Sequence, residues 1–137
     1  VSIDRLLAEA RAGLTRLKPH DAAEAVRAGG LLVDTRPEYQ RRADGDIPGA
    51  VVVERNQLEW RLDPHSESRI PEAAHHRVHW IVICDEGYSS SLAAASLRAM
   101  GLVNATDVVG GFQEWRAAGL PVTRGLVRPR LASYDLR

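Results

Sequence analysis

Cys84 is the only cysteine in the chain, a free thiol whose setting suits a nucleophile. It ends a short apolar run, Val78 to Ile83, and is followed by Asp85-Glu86-Gly87-Tyr88-Ser89-Ser90 and then by a stretch of Ala, Leu and Ser reaching Met100. The pattern predicts strand, tight loop and helix, with a thiol at the turn. A loop that curls round the sulfur turns its backbone N–H groups inward, and the first N–H groups of a helix starting near Ser90 have no intrahelical acceptor. Both sets of donors stabilise a thiolate or an anion attached to it. That geometry suits a nucleophile. An ordinary thiol, with a pKa of about 8.5, is only slightly ionised at neutral pH, so such donors matter. The carboxylates of Asp85 and Glu86 act in the opposite sense, to a degree set by whether they point outward. On this loop alone the plainer role of a lone cysteine, a small buried hydrophobe, stays open.

Other residue types invite chemistry less strongly. Arg36 follows the apolar run that ends at Asp34. It either faces the Cys84 loop, which has no cation of its own, or closes an ion pair with Asp34 or Glu38. His75, His76 and His79 lie close together, but a strand puts His79 on the face opposite Val78, and His75-His76 fall in a polar loop. No two are held at a fixed ligand spacing, so no metal site is expected. Trp60, Trp80 and Trp115 are expected in core or rim packing. Tyr88, in mid-loop beside the thiol, is expected at the mouth of a pocket.

The elements that must position these residues follow from apolar spacing. Ser2 caps a helix with Ile3, Leu6, Leu7 and Ala10 on one face, stopped at Gly13. Leu14 to Leu17 reads as a short edge strand, since Pro19 removes a donor and restricts Lys18. A second helix runs from His20 to Gly29-Gly30. Leu31-Leu32-Val33 is a buried parallel strand ending at Asp34. Pro37 opens a short helix through Arg42, turns follow at Asp44-Gly45-Asp46 and Pro48-Gly49, and Ala50 to Val53 form another strand. Asn56 to Leu62 gives a helical turn or two, and a polar loop runs from Asp63 to about His76. After the Cys84 strand and its helix, closed near Gly101, come a last strand, Asp107-Val108-Val109, and a helix that starts at Gly110-Gly111 and stops at Gly119. The segment beyond Val122, with Arg124, Arg128, Pro129 and Arg130, reads as an extended tail. Short strands alternating with helices predict one α/β domain with a mostly parallel sheet. In such sheets ligands sit beyond the carboxyl ends of the strands, the edge on which Asp34 and Cys84 both fall.

Composition narrows the functional classes. The 137 residues carry 18 basic and 18 acidic side chains, so net charge gives no ground for a nucleic acid or an anionic membrane as partner. A chain of this length buries about two thirds of its unfolded surface without a staple. One cysteine cannot form an internal disulfide, which fits a reducing compartment. Nothing approaches the ~18 consecutive apolar residues of a membrane span. The first residues, with Asp4 and Glu9, lack the pattern of a targeting segment. The expectation is a soluble, cytoplasmic protein.

Three separated stretches then coincide with one family. Leu32-Val33-Asp34-Thr35-Arg36-Pro37, followed by Asp46-Ile47-Pro48-Gly49-Ala50, resembles the first rhodanese signature. Cys84-Asp85-Glu86-Gly87-Tyr88-Ser89-Ser90 resembles the active-site loop of single-domain thiosulfate sulfurtransferases. Val109-Gly110-Gly111-Phe112-Gln113-Glu114-Trp115, with Gly119-Leu120-Pro121-Val122, resembles the closing signature. The resemblance implies an N-terminal helix and lead-in over 1–16, a rhodanese-like domain over 17–122 and a C-terminal tail over 123–137. It implies a five-stranded, mostly parallel sheet flanked by helices on both faces. It also implies a reaction in which a cysteine thiolate takes the outer sulfur of a donor such as thiosulfate and holds it as a persulfide for a second nucleophile. Carried onto this chain, Cys84 is the nucleophile, and the amides of Asp85, Glu86, Gly87, Tyr88, Ser89 and Ser90 hold the terminal sulfur. The hydroxyls of Ser89 and Ser90 are further candidate donors, and Arg36 is the candidate cation. The partners implied are a small-molecule sulfur donor and a thiol or cyanide acceptor, with a protein sulfur acceptor as a further candidate. No cofactor, metal, nucleic acid or membrane is implied.

Of two departures from the family pattern, the first bears on activity and the second falls in a turn that is chiefly structural. Many relatives carry a basic residue in the active loop, often arginine at the position of Ser89, whereas this loop has none and adds Asp85 and Glu86. Weaker thiosulfate use is therefore expected, with a thiol persulfide or protein-bound sulfur as competing donor. Asp46 replaces the histidine usual before Ile-Pro-Gly-Ala. Cysteine-loop phosphatases and arsenate reductases need an arginine six positions after the cysteine, where this chain has Ser90. The rival from another class is a rhodanese-like binding or regulatory module, or a sulfur carrier that works only with a partner protein.

Overall fold

The structure, a computed structural model, describes residues 2–123. Of the expected tail, only Thr123 lies within them.

Among the described residues there are six α-helices, one turn of 3₁₀ helix and four strands, with helices between successive strands. Helix α1, Ile3–Ala12, starts where the Ser2 hydroxyl accepts the Arg5 N–H, and Gly13 caps its end. Helix α2, Pro19–Arg27, has proline at its first position, where a missing N–H costs nothing. Strand β1, Leu31–Asp34, leads to α3, Glu38–Asp44, and then to β2, Val51–Val52. A turn of 3₁₀ helix passes into α4, Leu58–Leu62. Strand β3, Trp80–Ile83, is followed by α5, Ser89–Ala99. Strand β4, Thr106–Asp107, and α6, Gly111–Ala117, complete the described chain.

The strands form one parallel sheet in the order β2-β1-β3-β4. It has four strands among the described residues rather than five. The expected strand Leu14 to Leu17 contributes a single parallel bridge, Leu17 to Val108, beyond β4. Lys18 is already the N-cap of α2, so the chain turns into a helix before a second pairing forms.

The alternation of side chains divides the core in two. Val33 and Val82 face a cluster with Leu58, Leu62, Ala93, Ala94 and Leu97, from α4 and α5. Leu32, Ile81 and Ile83 face Ala22, Ala23, Phe112 and Trp115, from α2 and α6. All of β3 is buried, as a continuous apolar run between two helical layers requires. Each fully buried leucine of this kind stabilises the fold by roughly 1.5–3 kcal/mol. Trp80 and Trp115 are in the core, but Trp60 is 62% exposed. Leu58 and Leu62, four residues apart on α4, take its inward face and turn Trp60 outward. Among the described residues, no helix is long and apolar enough to cross a membrane.

Candidate active site

Asp34 ends β1, Cys84 follows β3, and Val108 follows β4, so the three lie at one edge of the sheet. Cys84 is 6% exposed, and its Sγ accepts the N–H of Gly87 at 3.2 Å and of Ser90 at 3.3 Å. Two backbone N–H donors thus converge on one sulfur, an arrangement able to hold an anion attached to it.

The loop holds this shape because another turn grips it from behind. Gly87 has φ +87°, and a Cβ there would lie 2.7 Å from the Gly110 nitrogen. The first free N–H groups of α6 take the loop carbonyls: Phe112 donates to Cys84 at 2.8 Å and Gln113 to Asp85 at 3.1 Å. The glycine pair therefore serves the active loop as well as starting α6.

Above the sulfur opens a cavity of about 300 Å³. Asp85, Glu86, Tyr88 and Ser89 border it on the loop side, and Thr35, Arg36, Pro37 and Gln40 on the side of β1 and α3. Tyr88 is 59% exposed at this opening, as a mid-loop ring should be. The Asp85 carboxylate accepts the Gln113 side-chain amide at 2.9 Å, which draws it towards α6, and Glu86 is exposed. Ser89 is exposed at the start of α5 and borders the cavity. Ser90 differs from the expectation for its hydroxyl. That hydroxyl donates to Asp107 Oδ2 at 2.7 Å, and only the Ser90 N–H reaches the sulfur.

Arg36 takes the second of its two alternatives. Its guanidinium is fully buried, donates to Asp34 at 2.8 and 3.1 Å and to the Gly45 carbonyl at 3.0 Å, and lies 3.8 Å from the centre of the Phe112 ring. The residue borders the cavity, but its charge is matched by Asp34. Glu38 pairs with Arg42 instead.

Sequence reasoning missed four supporting residues. Arg11 and Arg16 both donate to the Gly87 carbonyl, at 2.7 and 3.0 Å, from 76 and 71 residues away. Asp107, fully buried, was read only as the start of a strand, and Gln113 only as part of a signature. An arginine on an exposed helix and another in a lead-in loop carry no local signal of such partners.

Residues 18–118 match the family model described as the rhodanese-like domain. The chain is 33% identical over 102 residues to the thiosulfate sulfurtransferase GlpE of Pseudomonas entomophila, covering 74% of this chain and 84% of that one. It is 29% identical to the adenylyltransferase and sulfurtransferase UBA4 of Candida albicans, covering 72% of this chain and 22% of that protein. A solved Rhodopseudomonas palustris protein of unknown function, described as a possible tyrosine phosphatase, superposes with a TM-score of 0.81 at 31% identity, covering 89% of this chain and 94% of that one.

Proposed function

The chain belongs to the rhodanese-like domain family, and from that premise we propose that it is a sulfurtransferase carrying sulfane sulfur on Cys84. The donor is thiosulfate or a persulfide, and the acceptor a thiol or cyanide. The observation that carries this reading is the Cys84 sulfur at the floor of the cavity with two backbone N–H groups aimed at it.

The electrons balance at each step. The Cys84 thiolate attacks the outer sulfur of thiosulfate, a sulfur–sulfur bond forms to the protein, and the bond to the sulfonate sulfur breaks. Sulfite leaves with that electron pair, and the negative charge remains on the terminal sulfur of a Cys84 persulfide. Amides of the loop from Asp85 to Ser90 would cradle that charge, in the manner of preorganised donors at an oxyanion. The acceptor thiolate or cyanide then attacks the terminal sulfur, and Cys84 leaves as a thiolate.

The exposed Glu86 at the cavity and the absence of a loop cation favour a singly charged persulfide donor over doubly charged thiosulfate. Serine at position 90 supports sulfur transfer over phosphate-ester cleavage, which needs a cation there. Intact-mass analysis of the reduced protein after incubation with thiosulfate, or with a small-molecule persulfide, tests the reading. The expected result is one added sulfur atom, absent in Cys84→Ala and removed by cyanide or a thiol. No addition from either donor would overturn it in favour of a binding module.

A further inference from the structure

The family match begins at residue 18, yet two residues before it reach the back of the Cys84 loop. Arg11 Nη2 and Arg16 Nη2 converge on the Gly87 carbonyl. Arg16 also clasps the fully buried Asp107 carboxylate, with Nε at 2.8 Å from Oδ1 and Nη2 at 3.1 Å from Oδ2. Asp107 in turn accepts the Ser90 and Ser91 hydroxyls at 2.7 and 2.8 Å, and Arg11 Nε donates to the Ser91 hydroxyl at 3.0 Å. The circuit closes on itself.

Two features make this more than a structural tie. First, the residues whose amides reach the sulfur, Gly87 and Ser90, are the ones whose other polar atoms the circuit holds. Shifting either anchor shifts a donor to Cys84. Second, the circuit contains two guanidinium charges and one carboxylate, so it leaves a surplus of one positive charge beneath a loop that has no cation of its own. Arg16 is largely buried, and charges shielded from water act more strongly than surface ones.

We propose that Arg11 and Arg16 are positioning residues of the sulfur-transfer site, which orient the two amides on Cys84 and supply the positive charge that favours its anionic forms. The inference deepens the sulfurtransferase reading and rests on it for the sulfur-loading rate. Its effect on the thiol is independent of that reading. The N-terminal segment is thereby part of the functional unit.

Arg11→Met, Arg11→Lys and the control Arg5→Met, an exposed pair with Glu9 on the same helix, are compared with the native protein. The rate of Cys84 alkylation by iodoacetamide at neutral pH is read alongside the single-turnover rate of sulfur loading, with thermal unfolding to verify the fold. Loss of the two charge-assisted hydrogen bonds from Arg11, to the Gly87 carbonyl and the Ser91 hydroxyl, predicts at least a roughly ten-fold fall in alkylation and loading for Arg11→Met, partial recovery in Arg11→Lys, and native rates in the control. The paired change Arg16→Met with Asp107→Asn removes the second anchor on the Gly87 carbonyl but keeps the surplus of one positive charge, and should lower both rates through lost positioning alone. Native alkylation in a folded Arg11→Met protein overturns the proposal. A fall in alkylation in a protein whose native form takes no sulfur from thiosulfate or a persulfide supports the positioning role and overturns the sulfurtransferase reading.

Discussion

Gly111→Ala should damage both stability and sulfur loading, and the two can be separated. Gly111 has φ +60°, and an added Cβ would stand 2.6 Å from the Cys84 carbonyl oxygen, 2.7 Å from the Gly87 nitrogen and 2.8 Å from the Asp85 carbonyl carbon. All three are backbone atoms of the active loop, so none can swing aside as a side chain would. A non-glycine residue in the left-handed region costs roughly 1–2 kcal/mol. Overpacking against fixed atoms adds about 1–3 kcal/mol. Gly119 supplies the control, because it has φ +77° and nothing within 4 Å of an added Cβ. Gly119→Ala should therefore lose about 1–2 kcal/mol and Gly111→Ala about 2–5 kcal/mol, read from urea denaturation midpoints at constant slope. A domain with ordinary stability, about 5–15 kcal/mol, survives most of that range folded. In the folded variant the displaced loop carries the Gly87 N–H off the sulfur, and loading measured by intact mass should fall at least roughly ten-fold, the effect of about 1.4 kcal/mol. Gly119→Ala should load at the native rate. Equal destabilisation of the two variants, or native loading by Gly111→Ala, would refute the argument that the glycine turn holds the loop amides in place.

Three further outcomes follow from the same geometry. Asp34→Ala leaves the fully buried Arg36 guanidinium without its carboxylate and should cost about 3–5 kcal/mol in chemical denaturation; a loss below about 1 kcal/mol would mean that water or the Gly45 carbonyl suffices. Burial pushes the Glu59 carboxyl up, but hydrogen bonds from the Ser96 hydroxyl, the backbone and Arg55, together with the Arg55 charge, outweigh it and hold its pKa below the ordinary 4.5. A carboxyl lowered on folding stabilises the native state above its unfolded value, and that contribution is lost as pH falls through the lower folded value. The thermal-stability gap between native protein and Glu59→Gln should thus be level near neutrality and narrow below about pH 4.5, and a gap that widens in acid would contradict it. Glu86→Arg replaces an exposed negative charge at the cavity with a positive one. After salt screening this is worth roughly 1 kcal/mol towards a dianion, about a five-fold lower KM for thiosulfate that shrinks at high salt; an unchanged or higher KM would show that Glu86 does not repel the donor.

Much of the site was legible because it is built from neighbours in the chain. The run from Val78 to Met100 contains the strand, the loop and the helix that place Cys84 under its own backbone amides, and all three elements formed where periodicity put them. The short strand ending at Asp34 set out one edge of the sheet and Gly110-Gly111 marked the turn packed against it, whereas the last strand, expected over Asp107-Val108-Val109, formed at Thr106–Asp107. The family signatures lie in the same local segments, which is why the resemblance and the residue-level reading pointed to one sulfur.

What the sequence by itself determined is most of the local backbone: apolar spacing chose strand or helix, glycines allowed the left-handed turns, and the loop length let the Gly87 and Ser90 amides reach Cys84 once the Gly110-Gly111 turn packed behind it. Tertiary structure decided where the charged side chains ended. Arg36 turned to Asp34 rather than to the loop, the Ser90 hydroxyl turned to Asp107, and Arg11 and Arg16 came from the start of the chain to the Gly87 carbonyl. The expected first strand shrank to the Leu17 bridge for a local reason instead, since α2 begins at Pro19. Backbone shape depends on near neighbours through steric exclusion and hydrogen bonds a few residues long. A long charged side chain in the interior must instead find whichever opposite charge or carbonyl the packed helices bring beside it, and that partner is fixed only when the layers close.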